Sequence, residues 1–169
     1  MQIEKTKLEG LYIVRIEKFA DARGYNLSMF QEADYQNKII TATGQKIMFV
    51  ENLLSSSRKG VLRGMHYDDK RWKLCQCLSG KIFYVAVDVK TKQYESVILS
   101  AFEPVQVLKA PYLAHGFQVM SPEALFFYMT SEFRDEKREK VYPWNGYSIP
   151  WPVSPPVLSD KDRSANNNA

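Results

Sequence analysis

An all-β sandwich or barrel is the architecture this sequence predicts. Three observations carry it: apolar residues recur with period two in short runs, turn signals separate those runs at close intervals, and few stretches hold a helical period. With 169 residues and 45% apolar content the chain can bury one sizeable core, which leaves little for a second. One domain over residues 1–169 is therefore expected, with residues 163–169, which include Asn166-Asn167-Asn168, disordered.

The first alternating run is Leu11–Ile16. Gln31–Lys38 has room for a short helix. Arg63 lies on the strand that leads to His66, and Lys73 lies one strand further on. Lys81–Val89 alternates most clearly, and Ser96–Ser100, Val105–Leu108, Phe117–Met120 and Ala124–Tyr128 follow as short strands. Ser79-Gly80, Glu103-Pro104, Ala110-Pro111 and Ser121-Pro122 punctuate the series. Glu132–Lys140 is charged enough to be either a turn of helix or a solvated loop. From Pro143 onward Trp144, Pro150, Trp151, Pro152, Pro155 and Pro156 favour an extended segment wrapped over the sandwich, because proline cannot donate to a sheet ladder.

Composition narrows the function classes. A net charge of +4 is scattered without a basic block, so a nucleotide or phosphate ligand is compatible, whereas nucleic-acid binding has no motif behind it. Met1–Leu11 lacks the apolar region of a signal peptide and no run approaches membrane-spanning length, so a cytoplasmic protein with no membrane partner is expected. Cys75 and Cys77 are two apart on one strand, a geometry that disfavours a disulfide, and free thiols are expected.

The chemistry concentrates in two segments. Gly60-Val61-Leu62-Arg63-Gly64-Met65-His66-Tyr67 sets a guanidinium three residues before an imidazole, with Lys73 seven residues later. Ala110-Pro111-Tyr112-Leu113-Ala114-His115-Gly116-Phe117 holds the second of only two histidines. Both groups able to titrate near neutral pH thus fall where strands end, a candidate proton-transfer site. His115 fits a packed turn about as well as a site.

These segments, together with Phe19-Ala20-Asp21-Ala22-Arg23-Gly24, Lys73-Leu74, Ser79-Gly80 and Leu158-Ser159-Asp160-Lys161-Asp162, occur in an order that resembles the nucleotide-4-keto-6-deoxysugar 3,5-epimerases, the dTDP-4-dehydrorhamnose 3,5-epimerase family. The resemblance implies a cupin-type jelly roll, a homodimer that exchanges an N-terminal segment, a nucleotide-diphosphate 4-keto sugar as substrate and no cofactor. Inverting a carbon beside a ketone needs a base, a cation for the enolate oxygen, and an acid on the opposite face. His66 is the natural base and Lys73 the cation. By similarity Asp162 would hold the far nitrogen of His66, and Arg63 and Arg23, the latter from a neighbouring subunit, would bind the diphosphate with their planar forks. Phe19, His115 and Glu51 complete the implied substrate contacts.

Several positions depart from the family pattern. Phe133 stands where the family carries its tyrosine acid, and a phenyl ring donates no proton; Tyr84 replaces a strand aspartate, as a substitute acid or as a neutral hydrogen-bonding residue. Ser28, and the pair Glu51 and Leu53, replace a glutamate and a Gln-x-Asn pair near the nucleotide, so base recognition is expected to differ. The reading that follows is inversion at one carbon only or through an unusual acid. A metal site is not expected, because Asp68 takes the place of the second histidine of a metal-binding cupin. Two rivals stand beside the epimerase: a ketoisomerase of the same fold, which moves the carbonyl, and a non-catalytic sugar-nucleotide binder. The joint presence of His66, Lys73 and Asp162 argues against the binder, which needs neither base nor oxyanion cation.

Overall fold

The structure, a computed structural model, describes residues 1–165. In chain order its elements are β1 (Gln2–Lys5), β2 (Leu11–Arg15), β3 (Phe19–Asp21), β4 (Gly24–Asn26), α1 (Glu32–Thr43), β5 (Glu51–Arg58), β6 (Leu62–Tyr67), β7 (Lys73–Ser79), β8 (Lys81–Asp88), β9 (Tyr94–Ser100), β10 (Val105–Lys109), β11 (Leu113–Val119), β12 (Glu123–Thr130), β13 (Lys140–Val141) and α2 (Asp160–Ser164). A six-stranded sheet in the order β1-β2-β10-β7-β12-β5 faces a five-stranded sheet in the order β13-β6-β11-β8-β9, and β3 and β4 form a separate hairpin. The pairs are antiparallel and the connections hop between sheets, which makes the jelly-roll sandwich expected from the resemblance.

Period-two alternation decides which side chains meet between the sheets. Cys75, Cys77, Val107 and Phe126 point inward from the six-stranded wall and pack on Ile82, Tyr84, Ala86, Leu99, Phe117 and Val119 from the other. Each such buried apolar side chain contributes roughly 1.5–3 kcal/mol. The alternate residues Leu74, Leu108 and Met129 face outward and are covered by Tyr35 and Ile39 of α1. On the far side Met65, Val85 and Val87 lie under Ile149 and Trp151 of the Pro-rich segment, which wraps the sandwich in extended form. Cys75 and Cys77 are free thiols.

Some boundaries differ from the sequence reading. The helix begins near its expected start but runs to Thr43, where Gly44 adopts φ 75° and its N–H closes on the carbonyl of Ile40. Ile39, Ile40, Thr41 and Thr43 are poor helix formers, and burial of Tyr35 and Ile39 overrides that preference. β11 starts at Leu113, before Phe117, and β5 lacks an apolar signature because half of it is Ser55-Ser56-Ser57-Arg58. Of the segment Glu132–Lys140, residues 132–139 are a turn-rich loop around Asp135, whose carbonyl accepts from the N–H groups of Arg138 and Glu139, and Lys140 opens β13. Disorder from residue 163 needs correction: Arg163 and Ser164 finish α2, which is started by the cap of Ser159 on the Asp162 N–H. Residues 166–169 lie outside the described residues. Among the described residues no helix is long and apolar enough to cross a membrane.

Candidate active site

Two glycines bring the histidines together. A β-carbon on Gly64 would stand 2.6 Å from the Gly116 Cα, and one on Gly116 would stand 2.8 Å from the Arg63 carbonyl oxygen, so β6 and β11 approach closely only because both positions lack a side chain. Gly64 also has φ 138°, a conformation that disfavours any other residue. The register then pairs His115 with His66 directly. This is the physical content of the Arg-Gly-x-His and His-Gly-Phe segments.

His66 is held from behind. Its Nε2 lies 2.7 Å from Asp162 Oδ1, and Asp162 is buried, with Oδ2 accepting from the Ser159 hydroxyl at 2.9 Å. Thus α2 presents the carboxylate that holds His66. With the carboxylate at Nε2 the neutral ring keeps its proton there, which leaves the Nδ1 lone pair for chemistry. Glu139 Oε1 stands 3.9 Å from Nδ1. Burial alone would raise the Glu139 carboxyl, but hydrogen bonds from Lys161 and Arg134 and the proximity of His66 outweigh it and bring it down to about 2.

Lys73 enters from the opposite sheet. It is buried, its Nζ lies 2.8 Å from His115 Nε2, and burial, followed by repulsion from Arg71, lowers it to about 8. Burial, then the charges of Lys73 and Lys109, push His115 well below its ordinary value, so its imidazole is neutral and its Nε2 accepts from the Lys73 ammonium. Lys109, opposite Lys73 in register, is also buried and donates to the carbonyls of Ala110 and Leu113, both at 2.7 Å.

His66, Lys73, His115 and Arg63 line one cavity of about 220 Å³ with Arg71, Tyr128, Arg134 and Glu139. Arg63 donates from Nε to Ser57 Oγ at 3.0 Å, which ties β6 to β5 across the mouth. Sequence reasoning missed Arg71, Tyr128, Arg134 and Glu139. Tyr128 was legible, since β12 alternates and Phe126 and Tyr128 share the inward face. Arg71 depends on a loop in which buried Asp68, bonded at 2.8 Å, turns it inward; Arg134 and Glu139 sit in a charged loop with no periodic signal.

Other expected site residues stand elsewhere. Tyr84 does not line this cavity: it is fully buried in the core between Phe126 and His115, and burial, with the adjacent Cys75 thiol, pushes its hydroxyl well above its ordinary value. Phe133 does not line the cavity either and is 68% exposed, whereas its neighbour Arg134 turns in. Glu51, opposite Thr130, lies just past the lining positions Leu53 and Ser55. Arg23 pairs with Asp21 at 2.6 Å in the β3–β4 hairpin, and Phe19 of the same hairpin is 62% exposed; neither reaches the cavity of its own chain. Among the described residues no cluster of three His, Cys, Asp or Glu side chains is arranged to hold a metal ion.

The family model described as dTDP-4-dehydrorhamnose 3,5-epimerase matches residues 5–169. The chain belongs to the dTDP-4-dehydrorhamnose 3,5-epimerase family. It is 37% identical to the Shigella flexneri dTDP-4-dehydrorhamnose 3,5-epimerase, with 96% of this chain and 93% of the relative covered. A Streptomyces niveus relative, a dTDP-4-dehydrorhamnose 3-epimerase, is 29% identical, with 98% of this chain and 83% of the relative covered. In structure the chain resembles the dTDP-6-deoxy-D-glucose-3,5-epimerase of Legionella pneumophila in complex with dTDP-4-keto-L-rhamnose. That TM-score is 0.88 at 33% identity, covering 97% of this chain and 90% of the other. The relatives it resembles thus include enzymes named for both carbons and enzymes named for C3 alone.

Proposed function

We propose that this protein is a cofactor-independent epimerase that inverts C3, C5 or both of a nucleotide-linked 4-keto-6-deoxysugar. The observation that carries the reading is one cavity holding a carboxylate-anchored His66 beside the buried cation Lys73. His66 Nδ1 removes the proton α to the ketone, and the C–H electron pair moves to the carbonyl oxygen. The Lys73 ammonium holds that oxygen in a water-poor site where charge counts for more than in bulk solvent. Neutral His115 keeps Lys73 aimed without adding a competing charge. Arg63 and Arg71 supply cationic forks for the diphosphate.

The working form is a homodimer in the cytoplasm. Arg23 and Phe19 reach no site of their own chain, and edge strand β5 with its approach carries exposed Met48, Val50 and Leu54, an apolar edge suited to a second copy. In this arrangement the hairpin brings Arg23 to the partner's diphosphate. Incubation with dTDP-linked 4-keto-6-deoxysugars in heavy water tests the function. Deuterium at C3 or C5 with inversion supports an epimerase. A carbonyl moved to C3 would indicate a ketoisomerase, and no exchange at all would indicate a binder.

A further inference from the structure

Asp68, at the place of a metal-binding cupin's second histidine, is a buried carboxylate that the reaction as described leaves idle. We propose that Asp68 is a positioning residue, which clamps Arg71 so that the free end of its guanidinium binds the substrate's diphosphate inside the cavity. This deepens the epimerase reading and rests on it. Asp68 is 2% exposed, and so is Arg71. The carboxylate accepts from the backbone N–H of Lys70 at 2.9 Å and of Arg71 at 3.2 Å, which fixes the turn between β6 and β7, and from Arg71 Nε at 2.8 Å. Asp68 does not itself line the cavity, whereas Arg71 does. Among the described residues the terminal nitrogens of Arg71 make no hydrogen bond, and they are not sealed in the core either, so a buried guanidinium brings unused donors to the cavity.

Buried donors left without acceptors are costly, and an anionic ligand removes that cost. Burial by itself would raise the Asp68 carboxyl, but the hydrogen bond from the Lys70 backbone, then the charge of Arg71, outweigh it and hold it below the ordinary carboxylate range. The pair is therefore ionised at neutral pH. Attraction within a buried ion pair is largely offset by desolvation of both groups, so the pair serves orientation more than stability. Arg71 is also the strongest charge acting against the Lys73 ammonium, and two cations this close on one wall favour a ligand that carries negative charge. Their shapes divide the work. A planar fork presents paired N–H groups that match the paired oxygens of a phosphate, whereas a single enolate oxygen needs only the point charge of Lys73. The other arginines of the cavity are held differently: Arg63 is exposed and gives its Nε to Ser57 Oγ, and Arg134 gives Nη2 to Glu139 at 2.9 Å. Neither is both buried and free at its tip.

A double-mutant cycle over Asp68→Asn and Arg71→Gln, read by calorimetric titration of the full chain with dTDP and with inorganic pyrophosphate, tests the assignment. Arg71→Gln should weaken both ligands by at least about tenfold and Asp68→Asn by at least about fivefold. The double variant should bind within about twofold of Arg71→Gln, because Asp68 acts only through the fork. The loss should fall on binding: in Asp68→Asn the dissociation constant should rise at least about three times more than deuterium exchange into saturating dTDP-4-keto-L-rhamnose falls. Losses that multiply in the double variant, binding by Asp68→Asn within about twofold of wild type, or a loss confined to exchange would each overturn the proposal. So would a wild type that binds neither ligand. If the wild type binds them but neither exchanges nor inverts, it is the epimerase reading that fails, and the binding cycle still decides the role of Asp68. Should Asp68→Asn or Arg71→Gln not fold, Asp68→Glu and Arg71→Lys keep both charges while displacing the fork, and the same outcomes decide.

Discussion

Replacing Lys73 with methionine removes a charge that the site needs and the fold resists. Methionine has nearly the same length, so packing between β7 and β10 is kept and the change is mainly electrostatic. Lowering an amine from 10.5 to about 8 corresponds to roughly 3 kcal/mol of folding free energy given up while the group is charged. The lost contact to His115 Nε2 takes back roughly 1–3 kcal/mol. At pH 7 Lys73→Met should therefore be as stable as wild type or up to about 2 kcal/mol more stable, although its activity should drop by roughly 100-fold or more. The pH dependence is the sharper readout. Between pH 8 and 10.5 the unfolded chain still binds the Lys73 proton while the folded protein has released it, so wild-type stability rises with pH. The variant lacks this contribution. Urea unfolding of both proteins at pH 7, 8, 9 and 10 should show wild type gaining on the variant by about 2–3 kcal/mol across that window. A stability difference that does not change with pH, or a variant destabilised by more than about 3 kcal/mol at pH 7, would refute the account of Lys73 as a strained, buried cation.

Two further predictions concern the scaffold and the loop. Gly64→Ala adds a β-carbon 2.6 Å from the Gly116 backbone at a positive φ, and should destabilise by about 2–4 kcal/mol with loss of activity; an unchanged melting temperature would refute the close-approach argument. Glu139 is lowered to about 2 from 4.5, so the stability it contributes is present above pH 4.5 and is lost as pH falls toward 2. Wild type should accordingly be more stable than Glu139→Gln at pH 6 and converge with it near pH 2, as followed by acid unfolding; a constant difference would contradict the Arg134–Glu139–Lys161 cluster.

The inward face of the sandwich was readable because burial and strand period coincide: Ile82, Tyr84 and Ala86 alternate in the sequence and pack together in the core. The same alternation that displayed Tyr84 as a conspicuous phenol also hid it, since a residue can face the core at one level and miss the cavity at the next. β5 was obscure because its inward positions include Ser55 and Ser57, and Ser55 lines a polar cavity instead of a core. His66 and Lys73 were found from local spacing, with Asp162 brought in by resemblance. Arg71, Arg134 and Glu139 sit on loops whose direction is set by contacts distant in sequence, such as Glu139 with Lys161, and local pattern carries no trace of those. Phe133 was placed by position along the chain, and position does not say which of two neighbouring loop residues turns inward.

The central claim is that His66, anchored by Asp162, removes the α proton. His66→Asn keeps a polar side chain of similar reach but supplies no base. Deuterium incorporation from heavy water into dTDP-4-keto-L-rhamnose, followed by NMR beside a titration of dTDP binding, tests the claim most directly. The account predicts that exchange at C3 and C5 disappears in the variant while nucleotide affinity stays within a few-fold of wild type. Exchange continuing at the wild-type rate would contradict it.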